Sequence, residues 1–327
     1  FNNYIYMKPK NCLIFGGSGF IGRNLVRKLT QNNFKVTVVT RNLHQKGYSL
    51  KTQGNPGYID IVECNIFEES QIVNLIKKSE ICINLIGILY EKGKINTFLN
   101  IHEKFPEFLS SLCFKYGVKQ LIHLSALGIE EASDSLYAKS KLNGELIIKK
   151  NFNNATILRP SIVYGVDDQF TNNFMTLLNR LPIFPLYYKG STLFRPIHIS
   201  DLVEIIFNVI NKNIKSNIIE CIGNEEMSLK NIIQKLLKLI RKKRFLIPLP
   251  LPLAKLSARF FQLFPKPLLT VDQLNLLKYQ NIPSGKYKTN FDIEIPSLAN
   301  FNFEVEKYSY MWRESGQFSK KEYEKNN

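Results

Sequence analysis

The sequence predicts a doubly wound α/β fold: a parallel sheet with a small, mainly helical C-terminal lobe. Three observations predict it. Short β-branched apolar runs alternate with amphipathic helical segments through the first half, and a glycine-rich turn joins the first run to the first helix. Beyond about residue 166 the chain changes character, and prolines punctuate basic, apolar stretches.

The elements follow in order. Asn11–Gly16 (NCLIFG) is a continuous apolar run ending in glycine, the pattern of a central parallel strand covered on both faces. Gly22–Thr30 is a helix with Ile21, Leu25, Val26 and Leu29 on one side. Lys35–Thr40 and Gly57–Val62 read as the second and third strands, and Ser70–Lys78 as a helix. Ile81–Leu85 is a fourth strand, a helix runs from about Phe98 to Tyr116, and Gln120–Ser125 is a fifth strand. Later strands fall near Ala155–Arg159 and Asn217–Ile222. The expected division is therefore a sheet domain over 8–165, joined by the strand near 217–222, and a smaller lobe over 166–327 interleaved with it.

The 327 residues can bury a full core, and 44% hydrophobic with 12% aromatic residues excludes global disorder. Lys and Arg number 44 against 27 Asp and Glu, a formal charge of +17 that draws the protein toward acidic partners. An alternative source of that charge is an AT-rich genome, since Lys, Asn and Ile are all abundant. Cys12, Cys64, Cys82, Cys113 and Cys221 show no CxxC or Cys/His spacing and read as small buried hydrophobes in a reducing compartment. No metal site is expected. No apolar stretch reaches the ~18–20 residues of a membrane span, and nothing before Met7, Phe1–Tyr6 included, reads as a secretory signal or transit peptide.

The first turn, Gly16-Gly17-Ser18-Gly19-Phe20-Ile21-Gly22, meets a specific physical demand. Gly16 allows a tight turn, Gly19 lets a pyrophosphate approach the backbone, and Gly22 lets the helix pack closely on the strand. The helix then offers free N–H groups to phosphate. Lying between a strand and a helix in a βαβ setting, the turn predicts an NAD(P)-binding Rossmann domain. NAD-selective sites place a carboxylate at the end of the second strand; here Thr40-Arg41-Asn42 places a guanidinium. Arg41 can pair with a 2′-phosphate, so NADPH is expected over NAD, the alternative being a solvated loop arginine.

Ser125 closes the fifth strand, and Tyr137-Ala138-Lys139-Ser140-Lys141 follows twelve residues later. Tyr137 and Lys141, four apart, share a helix face. An ammonium close to a phenol lowers its pKa and suits it to proton transfer with a carbonyl or alcohol, whose oxygen Ser125 would hold.

With these residues in place, the chain resembles the extended and atypical branch of the short-chain dehydrogenase/reductase superfamily from about Asn11 to Asn281. More narrowly, it resembles the family of the 39 kDa (alpha subcomplex 9) accessory subunit of respiratory complex I and its bacterial relatives. Four stretches carry that narrower likeness: Phe15–Val26 (FGGSGFIGRNLV), Leu158–Phe174 (LRPSIVYGVDDQFTNNF), Leu181–Leu186 (LPIFPL) and Leu268–Ile282 (LLTVDQLNLLKYQNI). The chain departs from the family at Arg195, before Pro196, where relatives often have Gln, and at Val166, where they often have Pro.

The resemblance implies tightly bound NADPH without established turnover and a role in assembling or stabilising complex I at the membrane. It also implies that Asn65 stands where relatives place an Asp by the adenine, with a plain turn as its other reading, and that Ile66 beside it belongs to the cofactor site. Leu85-Ile86-Gly87 would pass the cofactor, and Pro160-Ser161 would lie beside the nicotinamide. Asp201 reads as a helix cap, with a functional role as the other reading.

Arg241-Lys242-Lys243-Arg244 precedes the apolar Phe245–Pro248, and Leu253–Phe264 then spaces Leu253, Leu256, Phe260, Phe261 and Phe264 with Lys255 and Arg259. Such a basic amphipathic helix either lies on an anionic membrane or a partner, or packs on its own lobe with a solvated basic face. No nucleic-acid motif accompanies the charge. The expected function is an NADPH-binding accessory or assembly subunit of complex I. It would sit peripherally on the cytoplasmic face of a bacterial inner membrane or the matrix side of the mitochondrial one. The alternative is a free reductase or epimerase of a nucleotide-sugar or similar substrate, for which the Ser125, Tyr137, Lys141 set is the motive.

Overall fold

The computed structural model describes residues 8–41, 50–215, 217–262, 267, 269–314 and 316. Phe1–Tyr6, Asn42, Phe264 and Leu268, on which expectations above partly rest, lie outside those residues. The chain divides into two compact units: residues 1–160, 202–221 and 283–295 form the first, and 161–201, 222–282 and 296–327 the second.

The first unit is built on an eight-stranded sheet. In chain order its elements are β1 (Lys10–Phe15), α1 (Phe20–Thr30), β2 (Phe34–Thr40), β3 (Ile59–Glu63), α2 (Glu69–Ile76), β4 (Ile81–Asn84), α3 (Phe105–Lys115), β5 (Gln120–Leu124), α4 (Leu136–Asn151) and β6 (Thr156–Pro160). The strand order through these is β3-β2-β1-β4-β5-β6, every pair parallel. β11 (Ile218–Cys221) and the short β14 (Lys288–Thr289) extend the sheet beyond β6, again in parallel. The order reverses between β1 and β4, and in open sheets of this kind the crevice for a ligand opens there, outside the carboxyl ends of the strands.

The continuous apolar runs explain this burial. Cys12, Leu13, Ile14 and Phe15 of β1 and all of β4 and β5 are buried, as strands covered on both faces must be. One core packs Leu13, Phe15, Cys82 and Leu121 against Ile72 and Ile76 of α2 and Phe105, Leu109 and Cys113 of α3. All five cysteines are free and buried, and burial pushes the thiols of Cys12, Cys82 and Cys221 well up. They pack as small hydrophobes, as their apolar settings predict.

The second unit holds α5 (Thr171–Arg180), α7 (Leu229–Leu239), α8 (Leu251–Phe261), α9 (Val271–Leu276) and α10 (Phe301–Ser309). α6 (Ile199–Asn211) starts here and runs into the first unit. Three two-stranded pieces complete it: β7 (Val163–Tyr164) with β10 (Ile197–His198), β9 (Leu193–Phe194) with β12 (Met227–Ser228), and β8 (Ile183–Leu186) with β13 (Phe245–Pro248). Its core joins Tyr164, Met175, Phe184, Ile232, Leu236, Phe301 and Tyr308. Asp168, from the stretch Leu158–Phe174, is structural here. Its carboxylate accepts from the amides of Gly165 and Thr171 at 2.8 and 2.6 Å, tying the start of α5. Among the described residues no helix is long and apolar enough to cross a membrane.

Candidate functional site

The predicted site residues of the first unit gather at the carboxyl ends of its strands. The glycine turn follows β1, Arg41 follows β2, Asn65 and Ile66 follow β3, Leu85–Gly87 follow β4, Ser125 follows β5, and Pro160 ends β6. Ser161 begins the second unit, where its hydroxyl donates to Asn281 Oδ1 at 2.6 Å.

The turn is shaped as its glycines require. Gly16 has φ +82, open to glycine, and a Cβ there would stand 3.1 Å from the Leu85 backbone. A Cβ on Gly22 would meet the Gly16 carbonyl oxygen at 2.2 Å, so only glycine lets α1 lie this close to the turn. The Gly19 amide donates to Gly16 O at 3.0 Å, and Gly19 is the N-cap of α1 without any side-chain cap. Ser18, Phe20 and Ile21 are half-buried around it. The amides of the first helical turn are thus left for a ligand, and the helix dipole favours an anion there.

α4 carries Tyr137, Lys141 and Glu145, three positions on one face. Lys141 is buried; its ammonium donates to Leu124 O at 3.1 Å, and a Cβ on Gly87 would stand 3.2 Å from its Nζ. Burial pulls its pKa down to about 8, against the opposing pull of Glu145. Glu145 in turn binds Arg159, at the end of β6, through two bonds of 2.9 and 2.6 Å. Glu130 pairs with the same guanidinium at 2.9 Å and accepts from the Tyr287 hydroxyl at 2.6 Å. Burial alone would raise Glu130, but the bonds from Tyr287 and Arg159 carry it below the usual carboxylate range.

A histidine absent from the sequence-based site lies at its centre. The chain before α3 makes a π-turn, Leu99–Lys104, in which the Phe105 amide reaches back to Asn100 O. The π-turn contains His102, which is buried, stacks on Phe98 and meets the edge of Tyr137 with centroids 5.5 Å apart. The Ile88 amide donates to His102 Nε2 at 3.1 Å, so the neutral ring carries its proton on Nδ1 and donates it to Ser140 Oγ at 2.8 Å. Ser140 passes a bond to Tyr137 O at 2.8 Å. Burial first, then Lys141, hold His102 down to about 2, and the ring stays neutral. His102 therefore links the loop after β4 to the helix of Tyr137 and Lys141. Gly144 permits the approach, since a Cβ there would meet His102 O at 2.0 Å.

Among the described residues five buried side-chain polar atoms lack a partner, and two of them lie toward the carboxyl end of β5: Ser125 Oγ and His123 Nε2. Asn84 fixes the second, because its Oδ1 accepts from Ile86 N and its Nδ2 meets His123 Nδ1 at 3.1 Å. Buried polar atoms left unmade are costly, and orphans at the end of β5 are what a missing ligand leaves behind. With the glycine cradle and the uncapped helix, the residues present fit a dinucleotide.

The remaining expected residues behave differently. Arg41 is exposed and donates to Asn96 Oδ1 at 2.7 Å. Asn65 Oδ1 accepts from Phe67 N at 3.0 Å, the bond of a side-chain-closed turn, while Ile66 is buried in the core. Asp201 corrects an expectation: it stands within the first turn of α6 and its carboxylate accepts from Ala299 N at 3.0 Å, so it anchors a distant segment instead of capping its own helix.

The sequence pattern of the NAD dependent epimerase/dehydratase family matches residues 12–221, and the chain belongs to that family. Among curated proteins it is similar to the mitochondrial NADH dehydrogenase [ubiquinone] 1 alpha subcomplex subunit 9 of Arabidopsis thaliana. The two are 26% identical over 294 residues, 86% of this chain and 73% of that one. It is similar also to the mitochondrial NADH-ubiquinone oxidoreductase 40 kDa subunit of Neurospora crassa, 23% identical over 89% of this chain and 77% of that one. Among solved structures, the UDP-glucuronic acid 4-epimerase of Bacillus cereus in complex with NAD shares the fold. Its TM-score is 0.69 at 16% identity, covering 92% of this chain and 99% of that one.

Proposed function

We propose that this protein is an accessory subunit of respiratory complex I that holds NADPH chiefly as part of its structure. One observation carries the reading: the likeness to complex I subunits named alpha subcomplex subunit 9 and 40 kDa subunit runs over most of both chains. Its place is peripheral, on the matrix side of a mitochondrial inner membrane or the cytoplasmic face of a bacterial one.

In this reading Gly16–Gly22 receives the pyrophosphate, Leu85–Gly87 line its path, and Asn65 with Ile66 border the adenine. Pro160 and Ser161 flank the nicotinamide. Arg41, with no carboxylate beside it in Thr40-Arg41, pairs with a 2′-phosphate and favours NADPH over NADH. When bound, the dinucleotide supplies hydride exchange. Lys141, held near pKa 8, binds ribose hydroxyls and keeps a positive field beside Tyr137. Ser125 Oγ and the Tyr137 hydroxyl hold a substrate oxygen where one is present.

Native mass spectrometry of the protein from its own source tests the reading. The expected result is one NADPH per chain and co-purification with complex I subunits. An empty chain, or one isolated without those subunits, overturns it. Arg41→Asp is expected to weaken NADPH about tenfold or more and to favour NADH, judged by the energy of a charged hydrogen bond; an unchanged preference removes the NADPH assignment.

The second reading, a free reductase or epimerase, is favoured by the retention of Ser125, Tyr137 and Lys141 together. Hydride transfer from bound NADPH to a carbonyl panel, abolished by Tyr137→Phe, would establish it in place of the first.

A further inference from the structure

The second unit carries an inverted helix. α8 turns its alanines inward: Ala254 and Ala258 are buried with Leu274, against Tyr187, Tyr188, Leu249, Leu269 and Val271. Its large apolar side chains face water, with Leu253 at 52%, Leu256 at 63% and Phe260 at 58% exposure. Only Leu249 and Pro250 separate this helix from β13, which repeats the inversion. Leu246 packs into the core, while Phe245 (74% exposed) and Ile247 stand out, paired with exposed Ile183 and with Pro185 of β8. Both α8 and β13 pack on the Tyr187–Gly190 turn.

The stretch that carries these residues has charge of one sign. No aspartate or glutamate occurs between Glu226 and Asp272. Some cations of the stretch are engaged within the unit: Arg244 donates to Leu178 O and Asn179 O at the end of α5, Lys235 pairs with Glu225, and Lys242 pairs with Glu314. Lys243, Lys255 and Arg259 remain exposed beside the outward Leu and Phe side chains. A lone exposed leucine needs no explanation, but a set of outward Phe and Leu flanked by cations, in a stretch of chain without acids, has the chemistry of a membrane-surface element.

We propose that the outer face of α8 and the β8–β13 ribbon docks on an anionic lipid bilayer. Leu253, Leu256, Phe260 and Phe245 enter the headgroup boundary, and Lys243, Lys255 and Arg259 meet lipid phosphates. The proposal deepens the peripheral placement given above and does not depend on the complex I assignment.

The test is sedimentation of the purified full chain with phosphatidylcholine vesicles, with and without phosphatidylglycerol. Binding is expected to need the anionic lipid and to weaken as salt rises. Leu256→Ser/Phe260→Ser is expected to lose about tenfold or more in partitioning, from the apolar area withdrawn. Lys255→Gln/Arg259→Gln is expected to lose about fivefold per cation. Unaltered melting temperatures in both variants show that folding is intact. Failure to bind either vesicle, equal binding to both, or unaltered binding by both variants overturns the proposal. If vesicles are ignored but Leu256→Ser/Phe260→Ser detaches the chain from complex I subunits, the face is a protein interface and only the complex I reading survives. Vesicle binding by a chain that never accompanies complex I leaves this surface standing and removes that reading.

Discussion

The carboxyl ends of the first unit's strands and the outer face of α8 in the second unit solve opposite packing problems. At the strand ends Gly17 and Gly22 stand where a Cβ would collide, and charged groups are taken out of water only with partners: Arg159 with Glu145 and Glu130, Lys141 with the Leu124 carbonyl. On α8 the small residues are inside and the large apolar ones outside, and the exposed charges of Lys255 and Arg259 stay in solvent. The first region is constrained by its own chain. The second leaves its apolar surface for something else to cover. A substitution should therefore be felt as stability in the first and as association in the second.

The largest expected effect breaks the buried charge cluster. Arg159→Met leaves two carboxylates facing a neutral side chain, and removal of one partner from a buried pair costs about 3–5 kcal/mol. Urea unfolding would read it, and a loss comparable with that of exposed pairs such as Lys119–Glu80, which are worth up to about 1 kcal/mol, would contradict the contrast. Next comes Lys141. Its folded pKa of about 8 lies below the ordinary 10.5, so the unfolded chain binds more protons between these values and stability rises with pH across that window. The full rise is roughly 3 kcal/mol. Unfolding at about pH 7 and about pH 10 should show it in the wild type and not in Lys141→Met.

Gly22→Ala is expected to cost about 1–3 kcal/mol as the helix is pushed off the turn. It should also abolish measurable dinucleotide binding, and retained affinity would sever the turn from the cofactor. The smallest effect belongs to the other region: Leu256→Ser/Phe260→Ser should alter unfolding by no more than about 0.5 kcal/mol per site, as exposed substitutions do. A larger loss in a melting curve would show that this face is already part of the core.

Much of the first unit was legible because its signals are local. The run NCLIF, the glycine spacing and the four-residue step from Tyr137 to Lys141 are each fixed by backbone geometry within a few neighbours. The His102 link was not legible. It depends on the extra residue of a π-turn, which shifts helical register, and on Ile88 and Ser140, which lie 14 and 38 residues away. β14 is too short for periodicity to mark, and Asp201 found its partner 98 residues on, at Ala299.

By itself, then, the sequence determined the parallel α/β class, the glycine-rich turn after the first strand, the helical pairing of Tyr137 with Lys141, and the buried character of the cysteines. These follow from steric limits and hydrophobic spacing that act along a few residues. Tertiary structure alone decided that Arg159 gathers Glu145 and Glu130 from separate segments, that His102 stands neutral behind Tyr137, and which face of α8 is inside. The periodicity of Leu253, Leu256 and Phe260 allowed either face to be buried. Ala254 and Ala258 settled it, because only small side chains let that helix approach Leu274 and its neighbours closely.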